Sequence, residues 1–478
     1  MKVVLVNPPY NMWSAVRLRR IAAMLGHMAP LGLLALAAHA RRHVPGIEPE
    51  VLDAPALFLS EVETAAEIIR RQPQVVGFTA TTAAMPSVQR ISARVKAALP
   101  QALQVAGGPH ISGAGGDSLR ELPAVDCAVT GEGEETFSAI LEAIRAERGF
   151  SELRGVIWRT ETGEIRRNPP REFLTDLDTL PFPAWDLLPG FPHLYAASAF
   201  FSPPGPAASL TTSRGCPFDC SFCDQSTFGR RPRAASAEYV FDAVRHLQSR
   251  YGVRYIIFCD DTFTLNRERV MEICRRMRRL RGLSWSCDAN VMTVDRDMLR
   301  AMKRAGCWSI SFGLESGSPQ VLESLNKRID LSRARRVVEE TRAADIHVKG
   351  LFILGTPEES RESIRQTQRF IASLPLSTMN LSKFAPYPGS RLHALVAGGL
   401  AADHAQTNGM NFVVPSRHLS IPKLEKAYAQ TLRMFYNSRR AWRVHLPILL
   451  RHWRILAEMV VRKPKSIREP VARWNLGT

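Results

Sequence analysis

Twice along its 478 residues the chain alternates short apolar, β-branched runs with helical stretches. No other feature narrows the fold as far, because this alternation marks parallel strands joined by crossover helices. The first series predicts strands at Lys2–Asn7, Glu48–Leu52, Val75–Thr79, Gln104–Ala106 and Cys127–Thr130. Helices are expected near Pro30–Arg42, Val62–Arg71, Met85–Leu99 and Glu135–Arg145, so residues 1–150 read as a doubly wound, flavodoxin-like parallel sheet. Residues 151–195 read as a hairpin about Thr162-Gly163 and a proline-punctuated linker in which Trp185 fills a seam. The second series predicts strands at Ala208–Thr212, Tyr255–Cys259, Ser284–Asp288, Cys307–Gly313, His347–Leu354 and Met379–Phe384. Six strand–helix units make a partial (β/α)6 barrel over residues 196–415, and a helical C-terminal extension over 416–478 completes an α/β chain.

Both architectures bind ligands beyond the carboxyl ends of their strands. In the first half those ends carry Thr79-Ala80-Thr81, Gly107-Gly108-Pro109-His110 and Gly131-Glu132-Gly133-Glu134. Glycines permit close backbone approach there, and small hydroxyl residues supply hydrogen bonds without bulk. The barrel ends carry Asp260-Asp261, Glu315-Ser316 and Ile353-Leu354-Gly355. Taken singly, each also reads as a turn, a helix cap or a carboxylate at a helix N-terminus.

Behind the first barrel strand stand Cys216, Cys220 and Cys223 at C-x3-C-x2-C spacing, with Gly215 and Pro217 blocking regular structure. Three thiolates so close can hold three irons of a [4Fe–4S] cubane and leave the fourth open to a substrate. A zinc loop would need a fourth ligand, and no Cys or His follows at zinc-like spacing. Cys127, Cys259, Cys274, Cys287 and Cys307 are scattered singly, as small buried hydrophobes are.

With Phe222 just before its last cysteine, the motif resembles the signature of the radical S-adenosylmethionine (SAM) superfamily. The resemblance implies that SAM chelates the open iron and is split, by one electron, into methionine and a 5′-deoxyadenosyl radical. An external flavodoxin- or ferredoxin-type donor is implied with it. Asp260 or Asp261 then meets the methionine amino group, Glu315 and Ser316 the ribose, and Ile353 and Gly355 the adenine, with Phe222 among the cofactor contacts. The loops of the first half are similar to the cobalamin-binding domain of one large class of these enzymes. That likeness makes Thr79, Thr81, Gly107, Gly108, Pro109, His110, Gly131, Glu132 and Gly133 the corrin contacts, with the corrin sandwiched between the two domains. The Asp-x-His-x-x-Gly string that supplies a histidine to cobalt is missing after the first strand. It occurs once, as Asp345 to Gly350, where it enters a strand and reads as a chance match. No histidine on cobalt is expected, and His27 and His110 are the alternatives.

A formal net charge of +18 raises the question of nucleic acid. Residues 416–478 hold 14 Lys or Arg against 3 Asp or Glu, so most of the excess is a local feature of the tail. Phe435, Tyr436, Trp442, Trp453 and the apolar run Leu446–Leu450 lie within it. The tail reads as helices Pro422–Asn437 and Ser438–Arg462 that either pack on the barrel or lie on an anionic membrane surface. Nucleic acid is disfavoured, since no RNA-binding module follows the barrel. With no signal peptide or membrane span, the expected location is the cytoplasm, peripheral to the inner membrane if the tail binds lipid. The reading that joins these features is a cobalamin-dependent radical SAM methyltransferase acting on an unactivated carbon of a hydrophobic small molecule, a second SAM remethylating the cobalt. The alternatives are an oxidative cyclase of the anaerobic magnesium-protoporphyrin monomethyl ester type and a noncatalytic cobalamin or redox sensor. No residue of the sequence stands out as the one that resolves the substrate radical.

Overall fold

The computed structural model describes residues 1–10, 26–195, 197–198, 202–396 and 404–451. The chain opens with five parallel strands: β1 (Lys2–Asn7), β2 (Glu48–Asp53), β3 (Val75–Thr79), β4 (Leu103–Gly107) and β5 (Cys127–Val129). The principal helices of this half are Leu31–His43, Glu61–Arg71, Met85–Ala98 and Glu134–Arg145. Helices cover both faces, so Val3 and Leu5 enter one apolar cluster while Val4 and Val6 enter another. The strand order is β2-β1-β3-β4-β5-β6-β7, and its direction reverses between β1 and β3. The predicted hairpin forms as β6 (Val156–Arg159) and β7 (Ile165–Arg167). It does not stand in the joint: it pairs antiparallel with β5 and extends the first sheet.

The second sheet begins with β8 (Ala207–Leu210). A two-residue antiparallel pair, β9 (Ser213–Arg214) and β10 (Arg233–Ala234), closes the base of the cysteine loop. Then come β11 (Tyr255–Phe258), β12 (Ser284–Ala289), β13 (Cys307–Glu315), β14 (His347–Leu354) and β15 (Thr378–Lys383). All six main strands are parallel and neighbour one another in chain order, the open partial barrel expected. Tail helix Ile421–Tyr436 covers the open edge: the Tyr428 hydroxyl donates to the Leu381 carbonyl at 3.1 Å and that of Tyr436 to Met379 at 2.7 Å. A second helix, Arg439–Arg451, follows; Trp453 and the rest of the predicted Ser438–Arg462 helix lie outside the described residues.

The halves meet through the linker. Trp185 is buried between Phe191 and His246, with ring centroids 6.4 and 6.3 Å away, and the Ala184 N–H donates to Leu34 in the first half. At another point three segments touch with no room for a side chain: a Cβ on Gly389 would overlap both the Asp224 carboxylate and Gly113. His347 of the Asp-Ile-His string packs against Trp308, ring centroids 4.3 Å apart and tilted by 31°, at the amino end of β14 and away from the carboxyl end where ligands bind.

Candidate active site

The cysteine loop is held from several sides before any metal is considered. Gly215 has φ +83°, and a Cβ there would stand 2.6 Å from the Arg231 carbonyl, so this position needs glycine. The Gln225 amide donates to the Cys216 and Phe218 carbonyls at 3.0 and 2.8 Å, and Asn326 and Arg391 both donate to the Asp219 carbonyl at 2.6 Å. Cys216, Cys220 and Cys223 are free thiols, and none is fully buried. Their sulfurs do not form a group within 4.8 Å of one another, as ligands of a single ion would. Burial raises the Cys220 thiol, and the Lys327 ammonium opposes it. Lys327 is paired with Glu315 at 3.0 Å and lies 5.9 Å from the Phe222 ring centroid, a cation that stabilises thiolates at this end of the loop.

Two adjoining cavities lie at the carboxyl ends of both sheets, one of about 480 Å³ and one of about 1100 Å³. Thr79, Gly107, Gly108, Pro109, Gly131, Glu132 and Gly133 line the smaller from one side, and Thr211, Arg214, Asp224 and Asp261 from the other. The larger shares Leu31, Gly32, Leu33, Thr79, Pro109 and Asp224 with it, adds Thr81, and runs into the barrel interior. Together they exceed the roughly 300–1,000 Å³ of ordinary small-molecule pockets. A Cβ on Gly32 would meet no protein atom within 4 Å, so this glycine leaves shared space open. The residues present therefore fit a large planar group beside the first sheet and a further ligand in the barrel. Gly32→Phe is expected to lower corrin retention by roughly five- to a hundredfold while leaving iron content unchanged, on the ~1–3 kcal/mol scale of overpacking; absorption spectra of the reconstituted variant check it.

Not every predicted contact faces these cavities. His110 lines neither; it is buried behind Pro109. His27, the other alternative for cobalt, lines the larger, but its Nε2 lies 2.9 Å from Oδ2 of the buried Asp53. Asp260 is turned back onto the chain, accepting from Thr212 N–H at 2.5 Å, Thr212 Oγ1 at 2.6 Å and Ser213 Oγ at 2.8 Å. Asp261 points into the smaller cavity, where burial and neighbouring Asp260 raise its pKa and the Gly215 N–H opposes them. A cation placed there would relieve both effects. Ser316 is buried against Thr367 Oγ1 at 2.9 Å, Ile353 packs with Phe222 in a small apolar cluster, and the Gly355 N–H donates to Glu359 at 3.2 Å. Neither these three nor Glu315 lines either cavity, and of them only Ile353, against Phe222, and Glu315, through Lys327, reach the cysteine loop.

The Gly131–Glu134 loop and the cysteine loop are joined by buried charge. Arg214 Nη1 is 2.9 Å from Glu132 Oε1, its Nη2 pairs with Glu134, and Arg233 Nη1 is 2.8 Å from Glu132 Oε1. The Leu174 N–H donates to the other Glu132 oxygen at 2.8 Å, while Arg233 lies 4.7 Å from the Phe173 ring centroid and Arg214 5.3 Å from that of Phe228. Four charges so enclosed hold a geometry only because each is paired.

Sequence reasoning missed the polar lining of the barrel interior: Ser286 and Asp288 on β12, Ser309 and Ser311 on β13, Lys349 on β14. Burial raises the Asp288 carboxyl and lowers the Lys349 ammonium, and each partly offsets the other. The usable signal is polar side chains two residues apart on strands otherwise apolar throughout. Lys327 was missed as well; nothing local distinguishes it from any surface lysine.

Fold and site together define an iron–sulfur enzyme with a second cofactor chamber at its domain seam. The Radical SAM superfamily model matches residues 210–371, and the B12 binding domain model matches residues 20–141. A protein of Pyrococcus horikoshii described as an uncharacterized methyltransferase is 33% identical over 442 residues, 91% of this chain and 92% of its own. The anaerobic magnesium-protoporphyrin IX monomethyl ester cyclase of Cereibacter sphaeroides is 27% identical over 91% of this chain and 70% of its own. The radical SAM methyltransferase TsrM of Kitasatospora setae, solved with cobalamin and a [4Fe–4S] cluster bound, shares the fold at a TM-score of 0.69 and 19% identity, covering 87% of this chain and 82% of that one. The chain belongs to the cobalamin-dependent radical SAM enzymes, whose cofactors are a [4Fe–4S] cluster, SAM and cobalamin.

Proposed function

We propose that the protein transfers a methyl group to a carbon of a small molecule held in the larger cavity. The observation that carries this reading is the continuity of the two cavities: the glycine loops of the first sheet, Asp261 and the barrel interior open onto one space. When bound, the cluster supplies the electron for SAM cleavage and the cobalamin carries the methyl group. In this reading residues 1–150 with their hairpin are the cobalamin side, and residues 196–415 the SAM side. Cys216, Cys220 and Cys223 hold the cluster, and Asp261, rather than the saturated Asp260, receives the SAM ammonium. Glu315 acts through Lys327, and Ile353 and Gly355 form the wall beyond Phe222. Thr79, Thr81, Gly107, Gly108, Pro109, Gly131 and Gly133 bring backbone and small side chains against the corrin. Glu132 keeps the cleft in shape through its arginines. Asp288, Lys349 and the serines between them orient a polar end of the substrate, and the packed seam about Trp185 excludes water.

The test needs no substrate. Reconstituted protein is given methyl-labelled SAM and a strong reductant, and the corrin fraction is assayed. Label in the corrin supports methyl transfer; SAM cleavage with an unlabelled corrin favours the cyclase alternative; absence of cleavage favours a sensor.

A hydrophobic substrate drawn from a membrane is supported by the tail. Trp442, Leu446 and Leu450 are exposed at helical spacing beside Arg439 and Arg443, although no helix among the described residues is long and apolar enough to cross a membrane. The triple variant Trp442→Ser, Leu446→Ser, Leu450→Ser is expected to lower co-sedimentation with anionic liposomes about tenfold or more, from the roughly 1.5–3 kcal/mol carried by each buried apolar side chain. Equal partitioning of variant and parent would discard the membrane contact.

A further inference from the structure

Apart from the cysteine loop, one group of side chains among the described residues has the composition and closeness of a metal site. His110 Nε2, Glu121 and His404 Nε2 bring their ligand atoms within 4.8 Å of one another. His110 lies in the short helix Pro109–Ala114 behind β4, and Glu121 ends the next helix, Gly116–Glu121. His404 comes from the turn His404–Gln406, far along the chain after β15, which packs against the turn Thr82–Ala84 of the first half. His404 Nε2 is 3.0 Å and His110 Nε2 3.8 Å from Glu121 Oε2, and the two imidazole centroids are 4.8 Å apart at 72°.

An independent observation points to a ligand. His110 is 1% exposed, and its Nε2 has no hydrogen-bond partner. Its other nitrogen, Nδ1, lies 3.2 Å from Thr82 Oγ1. With Nδ1–H donating to the threonine, the Nε2 lone pair faces a carboxylate oxygen too distant to hydrogen-bond. In that tautomer two acceptors face each other 3.8 Å apart, a repulsion that a cation between them relieves. A buried polar atom left unpaired costs roughly 1–3 kcal/mol, so the arrangement calls for an occupant. Zinc at about 2.0–2.2 Å from nitrogen and oxygen ligands needs tetrahedral ligand separations of roughly 3.3–3.5 Å, and the two separations here lie on either side of that value. The bond from His110 to Thr82 is the outer-shell contact that fixes the tautomer of a metal-ligating histidine. Water can supply the remaining position.

We propose that His110, Glu121 and His404 bind a divalent ion of the zinc class that clamps the segment following the barrel onto the first sheet. Thr407 and Asn408, just past His404, line the larger cavity beside Thr82 and Pro109, so the ion would set the position of that wall. The site is separate from the cluster loop and from both cofactor cavities, and it does not depend on the methyl-transfer reading.

The test uses the full chain with its cluster loaded, so that the three cysteines are occupied by iron. Zinc is removed by dialysis and titrated back as zinc chloride against a chromophoric chelator, with iron measured in parallel. The expected result is one zinc per chain. Affinity should fall about a hundredfold in Glu121→Gln and in His404→Ala, and about tenfold in Thr82→Val, with iron content unchanged. No zinc retained by the folded, cluster-loaded protein, or zinc held equally by the variants, would overturn the proposal. Should a variant fail to fold, X-ray absorption at the zinc edge of the parent protein decides. A shell of nitrogen and oxygen at about 2.0–2.2 Å supports the site, and sulfur at about 2.3 Å overturns it.

Discussion

Alanine at Cys216, Cys220 or Cys223 is expected to reduce SAM cleavage by more than about a thousandfold, to the level of free reductant. Two remaining thiolates cannot hold a cubane whose fourth iron must stay open, so iron is lost along with activity. Cys274→Ala and Cys307→Ala are the controls. Both thiols are buried in the barrel core and line neither cavity, so their loss should cost packing alone and leave iron content at the parent level. Iron content and 5′-deoxyadenosine formation under dithionite report the outcome. Cleavage surviving in any of the three loop variants would reject the assignment of that cysteine to the cluster.

The second large effect is expected at the seam. Arg214→Met removes the cation paired with both Glu132 and Glu134 and leaves the Glu134 carboxylate buried without its partner. Breaking one side of a buried pair costs about 3–5 kcal/mol, far more than any surface ion pair contributes. Because Arg214 stands two residues before Cys216, the damage should extend beyond stability: the corrin should wash out and the cluster should bleach faster in air. The double variant Arg214→Met, Glu134→Gln should recover most of the loss, since it removes the uncompensated charge. Denaturant midpoints of the three proteins, with corrin retention measured on each, give the comparison. If Arg214→Met matches its parent in both, the charge cluster does not hold the seam.

Much of this was legible in local sequence because it depends on local physics. Short apolar, β-branched runs between helical stretches placed the strands of both sheets within a few residues, because a parallel strand covered on both faces is apolar along its length. The cysteine spacing on a glycine- and proline-broken loop singled out the candidate cluster loop for the same reason. What failed involved a choice of partner. The hairpin about Gly163 was visible, but its union with β5 rather than with the joint follows from which sheet edge lies open beside it. Asp260 and Asp261 are equivalent on paper; the Thr212 and Ser213 donors capture one and leave the other in the cavity.

The sequence by itself determined a parallel α/β sheet, a partial barrel, a three-thiol loop and a set of glycine loops at strand ends, all of which are written in short-range pattern. Only the tertiary structure decided that Glu132 meets arginines 82 and 101 residues away, that Lys327 attends the cysteines, and that His110 faces Glu121 and His404 instead of the cofactor space. Charge and metal-ligand chemistry act through distance in space, and neighbours brought together by folding leave no period in the chain.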